Sequence, residues 1–168
     1  MVDLDREVIE ITGNYLPTYN EIHSNNYDIL YIDIIQYFKH NTNKFDIVII
    51  DLVDISDNTL HLYDETFLTL LEKNTTKNSI IVTQASSLLS FENHNKIVKE
   101  IYKKYPYIKR FGSYIPSFYD YWGFAIYSKN NFNISSISEN KLEMLNNKDI
   151  LNSFDIPNYI DKNLICTE

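Results

Sequence analysis

Five carboxylates and one carboxamide stand where an alternating strand and helix pattern would gather its chemistry: Asp33, Asp51, Asp54 and Gln84, with Asp3 and Asp5 at the start. Three of them close short β-branched runs, Tyr27–Asp33, Phe45–Asp51 and Ser79–Gln84. Acids in such places can take a proton from a reacting group or hold the cationic end of a ligand. The apolar run Ile47-Val48-Ile49-Ile50 predicts a dry wall beside Asp51. Desolvation there would raise the carboxylate pKa and suit a general base. Each acid also has a plainer role, because Asp after a strand is a common helix N-cap. For Asp33, directly before the helical run from Ile34, cap and ligand contact weigh about equally. Asp51 and Asp54 precede no periodic helix directly, so capping explains them less well, whereas the Asp3/Asp5 pair reads by spacing alone as a solvated terminus.

Other chemistries find little support. His23, His40, His61 and His94 lack ligand spacing such as HxxxH and read as surface histidines, so no metal site is expected. No serine lies in a nucleophile elbow, and Cys166, the single cysteine, excludes an internal disulfide and a thiolate zinc site.

The elements that must position these residues follow from periodicity. The three runs above and Gly123–Ser128 read as buried parallel strands. Helical patterns cover Ile34–Lys39, Glu65–Lys73 with Phe67, Leu68 and Leu71 inward, and His94–Tyr105 with Ile97, Ile101 and Tyr105 on one face. This alternation means an α/β fold with a mostly parallel sheet. Ligands of such sheets bind outside the carboxyl ends of the strands, where the acids stand. Ile108–Tyr114 and Trp122–Tyr127, joined by a Pro-containing loop, predict a closing antiparallel hairpin, and the polar segment from Asn130 to Asn147 reads as mobile.

The 168 residues, 44% hydrophobic and 23% charged, fit a single domain over 1–168. No apolar run reaches the roughly 20 residues of a bilayer span. The start, Met1-Val2-Asp3-Leu4-Asp5-Arg6, is unlike a signal peptide, so a cytoplasmic setting and no membrane partner are expected. A net charge of −8 argues against a nucleic-acid partner and suits a cationic small ligand, although solubility alone also explains it.

With these residues in view, the chain resembles the catalytic domain of the polyamine aminopropyltransferases, the spermidine and thermospermine synthase family. Phe45–Asp54 resembles that family's strand and D-x-x-D, and Tyr63-Asp64-Glu65-Thr66-Phe67 the helix start that follows it. Val2-Asp3-Leu4-Asp5 with Val8-Ile9, Ile81–Ala85 with its Gln84, and Tyr114–Phe118 followed by Trp122-Gly123-Phe124 are similar to further family motifs, as is Phe154-Asp155-Ile156-Pro157. The motifs are collinear over nearly the whole chain. The resemblance implies a Rossmann-like, class I methyltransferase-like sheet and transfer of an aminopropyl group from decarboxylated S-adenosylmethionine to putrescine or spermidine, with no cofactor or metal. It implies nucleoside contacts by Asp3 and Asp33, a general base at Asp51, and a polyamine channel lined by Asp54, Gln84, Phe118 and Trp122.

The chain departs from the family in three places. Gly13, Gly112 and Gly123 are its only glycines, so the glycine-rich turn that cradles the nucleoside is absent and the domain is expected to be partial. Its sheet is then truncated and leaves an unpaired edge, compatible with a homo-oligomer, and little activity is expected of the chain alone. Ile55-Ser56-Asp57-Asn58-Thr59 replaces the family's Pro-Gly-Pro gate, and Phe118 with Trp122 looks more like the thermospermine-synthase branch. Two other readings compete: a noncatalytic remnant serving as an interaction module, and another S-adenosylmethionine-dependent methyltransferase-like protein.

Overall fold

The computed structural model describes residues 1–16, 27–134 and 146–160, and the chain divides into two compact units, Met1–Asn43 and Lys44–Glu168. In the first, β1 (Val2–Asp3) pairs in parallel with β2 (Leu30–Tyr31), Val2 facing Leu30 and Asp3 facing Tyr31. Helix α1 (Arg6–Tyr15) starts at Asp5, whose carboxylate accepts from Val8 N at 3.1 Å, and α2 (Ile34–His40) starts at Asp33, which accepts from Gln36 N at 2.9 Å. Both caps answer amide groups that a first turn leaves unpaired.

The second unit is built on a four-stranded sheet in the order β3 (Phe45–Ile50), β4 (Thr75–Ser87), β6 (Asp120–Ser128), β5 (Tyr107–Ile115). β3 and β4 are parallel, and β6 is antiparallel to both β4 and β5, so three of the four strands run one way. The hairpin predicted at the end of the chain is β5–β6, joined through a 3₁₀ turn at Pro116–Phe118.

Helices α3 (Glu65–Lys73) and α4 (Phe91–Tyr102) cover one face of this sheet. Asp64 caps α3 through Phe67 N, and the helix buries Phe67, Leu68 and Leu71. Ile81 and Tyr127, and Thr83 and Ala125, face each other across β4 and β6 on the buried side, under Ile97, Val98 and Ile101 of α4. Removing one such side chain as large as Leu71 from water contributes about 2 kcal/mol. On the opposite face Phe111 stacks on Phe124 with centroids 4.9 Å apart and meets Phe154, which follows α5 (Asn147–Asn152). Ser153 O accepts from Gly112 N and so ties that tail to β5.

Three expectations need correction here. Gly123–Ser128, read as a parallel strand, belongs to β6 and runs antiparallel to both of its neighbours. Asp51 does not sit against a dry wall: it is exposed, and Ile47 and Ile49, which β3 sends to the same side as Asp51, are 69% and 76% exposed, because among the described residues of this unit α3 and α4 pack on the other face. His94 is not a surface histidine but fully buried on the inner face of α4. His23, Cys166 and most of the polar segment expected to be mobile lie outside the described residues.

Candidate functional site

The carboxyl end of β3 runs straight into Asp51, and the segment to Asp54 is held by its carbonyls. Leu52 O accepts from Gln84 Nε2 at 2.9 Å, Val53 O from the Tyr63 hydroxyl at 2.7 Å, and Asp54 O from Thr59 Oγ1 at 2.7 Å. Thr59 Oγ1 is itself fixed by Ser56 N at 2.8 Å, so the Ile55–Thr59 segment folds back onto the backbone of Asp54. With the stretch from Leu52 to Asp54 pinned, Asp51 and Asp54 present their carboxylates to solvent.

Gln84 lies one step beyond the Thr83–Ile50 pairing of β4 with β3, hence level with Asp51. Its carboxamide is fully engaged. Besides Leu52 O, Nε2 donates to the Tyr63 hydroxyl at 2.9 Å, while Oε1 accepts from Trp122 Nε1 at 3.0 Å and from Ser86 N at 3.0 Å. That uses both donors and both acceptor sites of the amide. Buried as it is, Gln84 forms the wall of the site and has no polar atom left over for a ligand. The local cost is a bulge: the β4–β6 register slips between Gln84 and Ser87, and Ser86 takes a left-handed φ of 66°. Bulges beside a site commonly re-aim side chains in this way, and here the bulge turns Ser86 N onto Gln84.

Tyr63 is 5% exposed and its pKa is pushed up to about 12, chiefly by burial; the Gln84 hydrogen bond opposes the rise, and the charges of Asp54 and Asp51 add to it. It therefore stays a neutral donor to Val53 O at any physiological pH. On the other side of Gln84, Trp122 meets Phe118 with ring centroids 4.9 Å apart and planes 60° apart, and Phe118 is 56% exposed. The aromatic pair is followed by Tyr119 in the left-handed region, φ 51°.

The structure thus brings Asp51, Asp54, Gln84, Trp122 and Phe118 into one connected set at the carboxyl end of β3 and β4. Asp3 and Asp33 belong to the other unit. Asp3 Oδ1 accepts from Asp5 N at 2.8 Å, and Asp33 Oδ1 serves as a cap, the plainer role weighed for it above. Tyr63 and Thr59 were given no role from the sequence. Tyr63 stands inside a quoted motif, but nothing in its spacing reveals a hydroxyl aimed at Val53 O. Beneath the bulge, His94 Nδ1 donates to Ala85 O at 2.8 Å, and its pKa is pushed down to about 4, chiefly by burial, with the Ala85 bond opposing and the Arg110 charge adding. Among the described residues, no group of three His, Cys, Asp or Glu could hold a metal ion, and no helix is long and apolar enough to cross a membrane.

The family model for the spermine/spermidine synthase domain matches residues 1–138. No curated protein matches the chain. Among solved structures it is similar to a spermidine synthase from Thermotoga maritima, 20% identical with a TM-score of 0.79, over 97% of this chain and 58% of that one. It is similar as well to a spermidine synthase in complex with the transition state analogue AdoDATO, 20% identical with a TM-score of 0.77, again over 97% and 58%. Human methyltransferase-like protein 13 in complex with SAH shares the fold more distantly, 10% identical with a TM-score of 0.59, over 99% of this chain and 71% of that one. At these identities the likenesses are of fold, and the chain spans 58% of the length of the two spermidine synthases.

Proposed function

This chain belongs to the spermine/spermidine synthase domain family, and on that premise we propose that it serves polyamine biosynthesis, acting on putrescine or spermidine with decarboxylated S-adenosylmethionine as cosubstrate. The observation that carries the reading is that the family match over residues 1–138 takes in every candidate residue, Asp3, Asp33, Asp51, Asp54, Gln84, Phe118 and Trp122. In the reaction the lone pair of a neutral amine attacks the methylene next to the sulfonium. The new C–N bond forms as the C–S bond breaks, its electron pair neutralises the sulfur, and methylthioadenosine leaves. The attacking amine must first lose a proton, and Asp51 is the carboxylate proposed to receive it.

Asp54, next along the pinned segment, is proposed to hold the far ammonium of the polyamine. Phe118 and Trp122 are proposed to flank its methylenes, and Asp3 and Asp33 to contact the nucleoside, Asp33 through the oxygen other than its capping Oδ1. Gln84 serves this reading as the wall that keeps the acids and the aromatic pair in register.

The reading is tested by calorimetric titration of the full chain with putrescine, spermidine and butylamine at low salt, beside an assay for methylthioadenosine release. The diamines are expected to bind more tightly than the monoamine, and Asp51→Asn to remove most of that preference. Equal affinity for all three amines, or an Asp51→Asn protein that binds and turns over like the wild type, overturns it.

A further inference from the structure

Three successive carbonyls, those of Leu52, Val53 and Asp54, are each held by a side chain from a different place in the chain: Gln84 on β4, Tyr63 before α3, and Thr59 in the intervening segment. A carbonyl shares its rigid peptide plane with the next residue's nitrogen. Holding Val53 O therefore fixes the plane from which Asp54 projects, and holding Leu52 O fixes the one before it. Neither bond caps a helix nor belongs to the sheet. Their effect falls on how Asp54 projects and on the stretch of chain that sets its distance from Asp51.

From this geometry we infer that Tyr63 is a positioning residue for the acid pair: its hydroxyl, linked to Gln84 and seconded by Thr59, sets the spacing at which Asp51 and Asp54 receive the two ammonium ends of a polyamine. The inference rests on the polyamine reading of the same site. Tyr63 has one hydroxyl proton, given to Val53 O, and the same oxygen accepts from Gln84 Nε2. Replacing it with phenylalanine would strand both partners while keeping the ring. Gln84 would lose one of its four hydrogen bonds, and Trp122, whose indole N–H donates to Gln84 Oε1, would feel any shift of the amide. The sequence places Ser56 and Thr59 where the family carries a Pro-Gly-Pro gate. Here those residues supply the third anchor.

A spacing device acts on a ligand with two charges and not on one with a single charge. The experiment therefore compares putrescine with butylamine by calorimetry on the full chain, as wild type, Tyr63→Phe and Thr59→Val. Tyr63→Phe is expected to lower the putrescine-to-butylamine affinity ratio by about 2- to 10-fold, the equivalent of one net hydrogen bond, and Thr59→Val to lower it in the same direction. A ratio unchanged in both folded variants, or both amines weakened by one common factor, overturns the inference. If Tyr63→Phe does not fold, Thr59→Val in its half-buried turn decides by the same ratio. A wild type that prefers neither amine sinks the polyamine reading instead. Positioning is then judged from the carbonyl ¹³C shifts of Leu52, Val53 and Asp54, which must move together in the variant while those of β5 stand still; if they do not move, the inference fails.

Discussion

The most exacting prediction concerns His94. Its ring is fully buried, Nδ1 donates to Ala85 O at 2.8 Å, Nε2 has no hydrogen-bond partner among the described residues, and the folded-state pKa is pushed down to about 4. Unfolded, the ring returns to the ordinary value near 6.5. Between those values the unfolded chain binds more protons than the folded one, so stability must fall as pH falls. The contribution is fully present above pH 6.5 and is lost as pH drops toward 4. A shift of about 2.5 units corresponds to about 3 kcal/mol in total, of which about 2 kcal/mol is lost between pH 7.5 and 5.0. That is a large part of the 5–15 kcal/mol typical of a domain. Urea unfolding at the two pH values, on the wild type and on His94→Gln, isolates the effect, because carboxylate titrations are common to both. The variant is expected to be less stable at pH 7.5 yet to lose about 2 kcal/mol less on acidification. Identical pH slopes for the two proteins would mean that His94 is solvated or already protonated in the fold.

Two further outcomes follow from packing. Gly123→Ala would put a Cβ 2.4 Å from His94 Nδ1 and 2.8 Å from its Cε1; the enclosed ring cannot swing away, and a loss of about 1–3 kcal/mol is expected in thermal or urea melts, an unchanged midpoint counting against this packing. Leu71→Ala is expected to cost about 2–5 kcal/mol, whereas Ile49→Ser, at a side chain 76% exposed, should stay within about 0.5 kcal/mol; comparable losses in the two would show that the open face of β3 is covered in solution.

How much of this was legible in the sequence differs from element to element. Helix α3 forms on the residues expected, Glu65–Lys73, because Asp64 caps it and Phe67, Leu68 and Leu71 recur at helical spacing. The run Tyr27–Asp33 reads as a seven-residue strand, yet only Leu30–Tyr31 pairs. A strand is as long as its partner allows, and β1 offers two residues. β4 errs the other way. It starts at Thr75, four residues before the apolar run, where Thr75 pairs with Phe45, and Thr76 Oγ1 donates to Asp46. His94 was misread although a signal was present: it lies three residues before Ile97 and seven before Ile101, hence on the apolar face of α4. Its residue type outweighed its position. Only the close approach to Gly123, on a strand 29 residues away, shows why an imidazole is tolerated there.

For the site itself, the sequence could name residue types at strand ends but not the direction of their bonds. The family resemblance implied that Gln84 lines a polyamine channel. Its donors are given to Leu52 O and Tyr63, and its acceptor to Trp122, 38 residues further on. That arrangement leaves Asp51 and Asp54 in water, and the consequence for affinity can be worked out. An ion pair at about 4 Å in bulk water is worth about 1 kcal/mol. Two such pairs fall short of the roughly 4 kcal/mol that even a millimolar complex requires. Under the polyamine reading the acids can therefore set spacing and receive a proton, but they cannot supply most of the binding. The remainder has to come from apolar contact, and the exposed ring of Phe118 against Trp122 is the surface beside them able to give it. Cation–π attraction there adds about 0.5–1 kcal/mol at an exposed site. A polyamine should accordingly lose more affinity when Phe118 is truncated than when salt is raised enough to screen the acids.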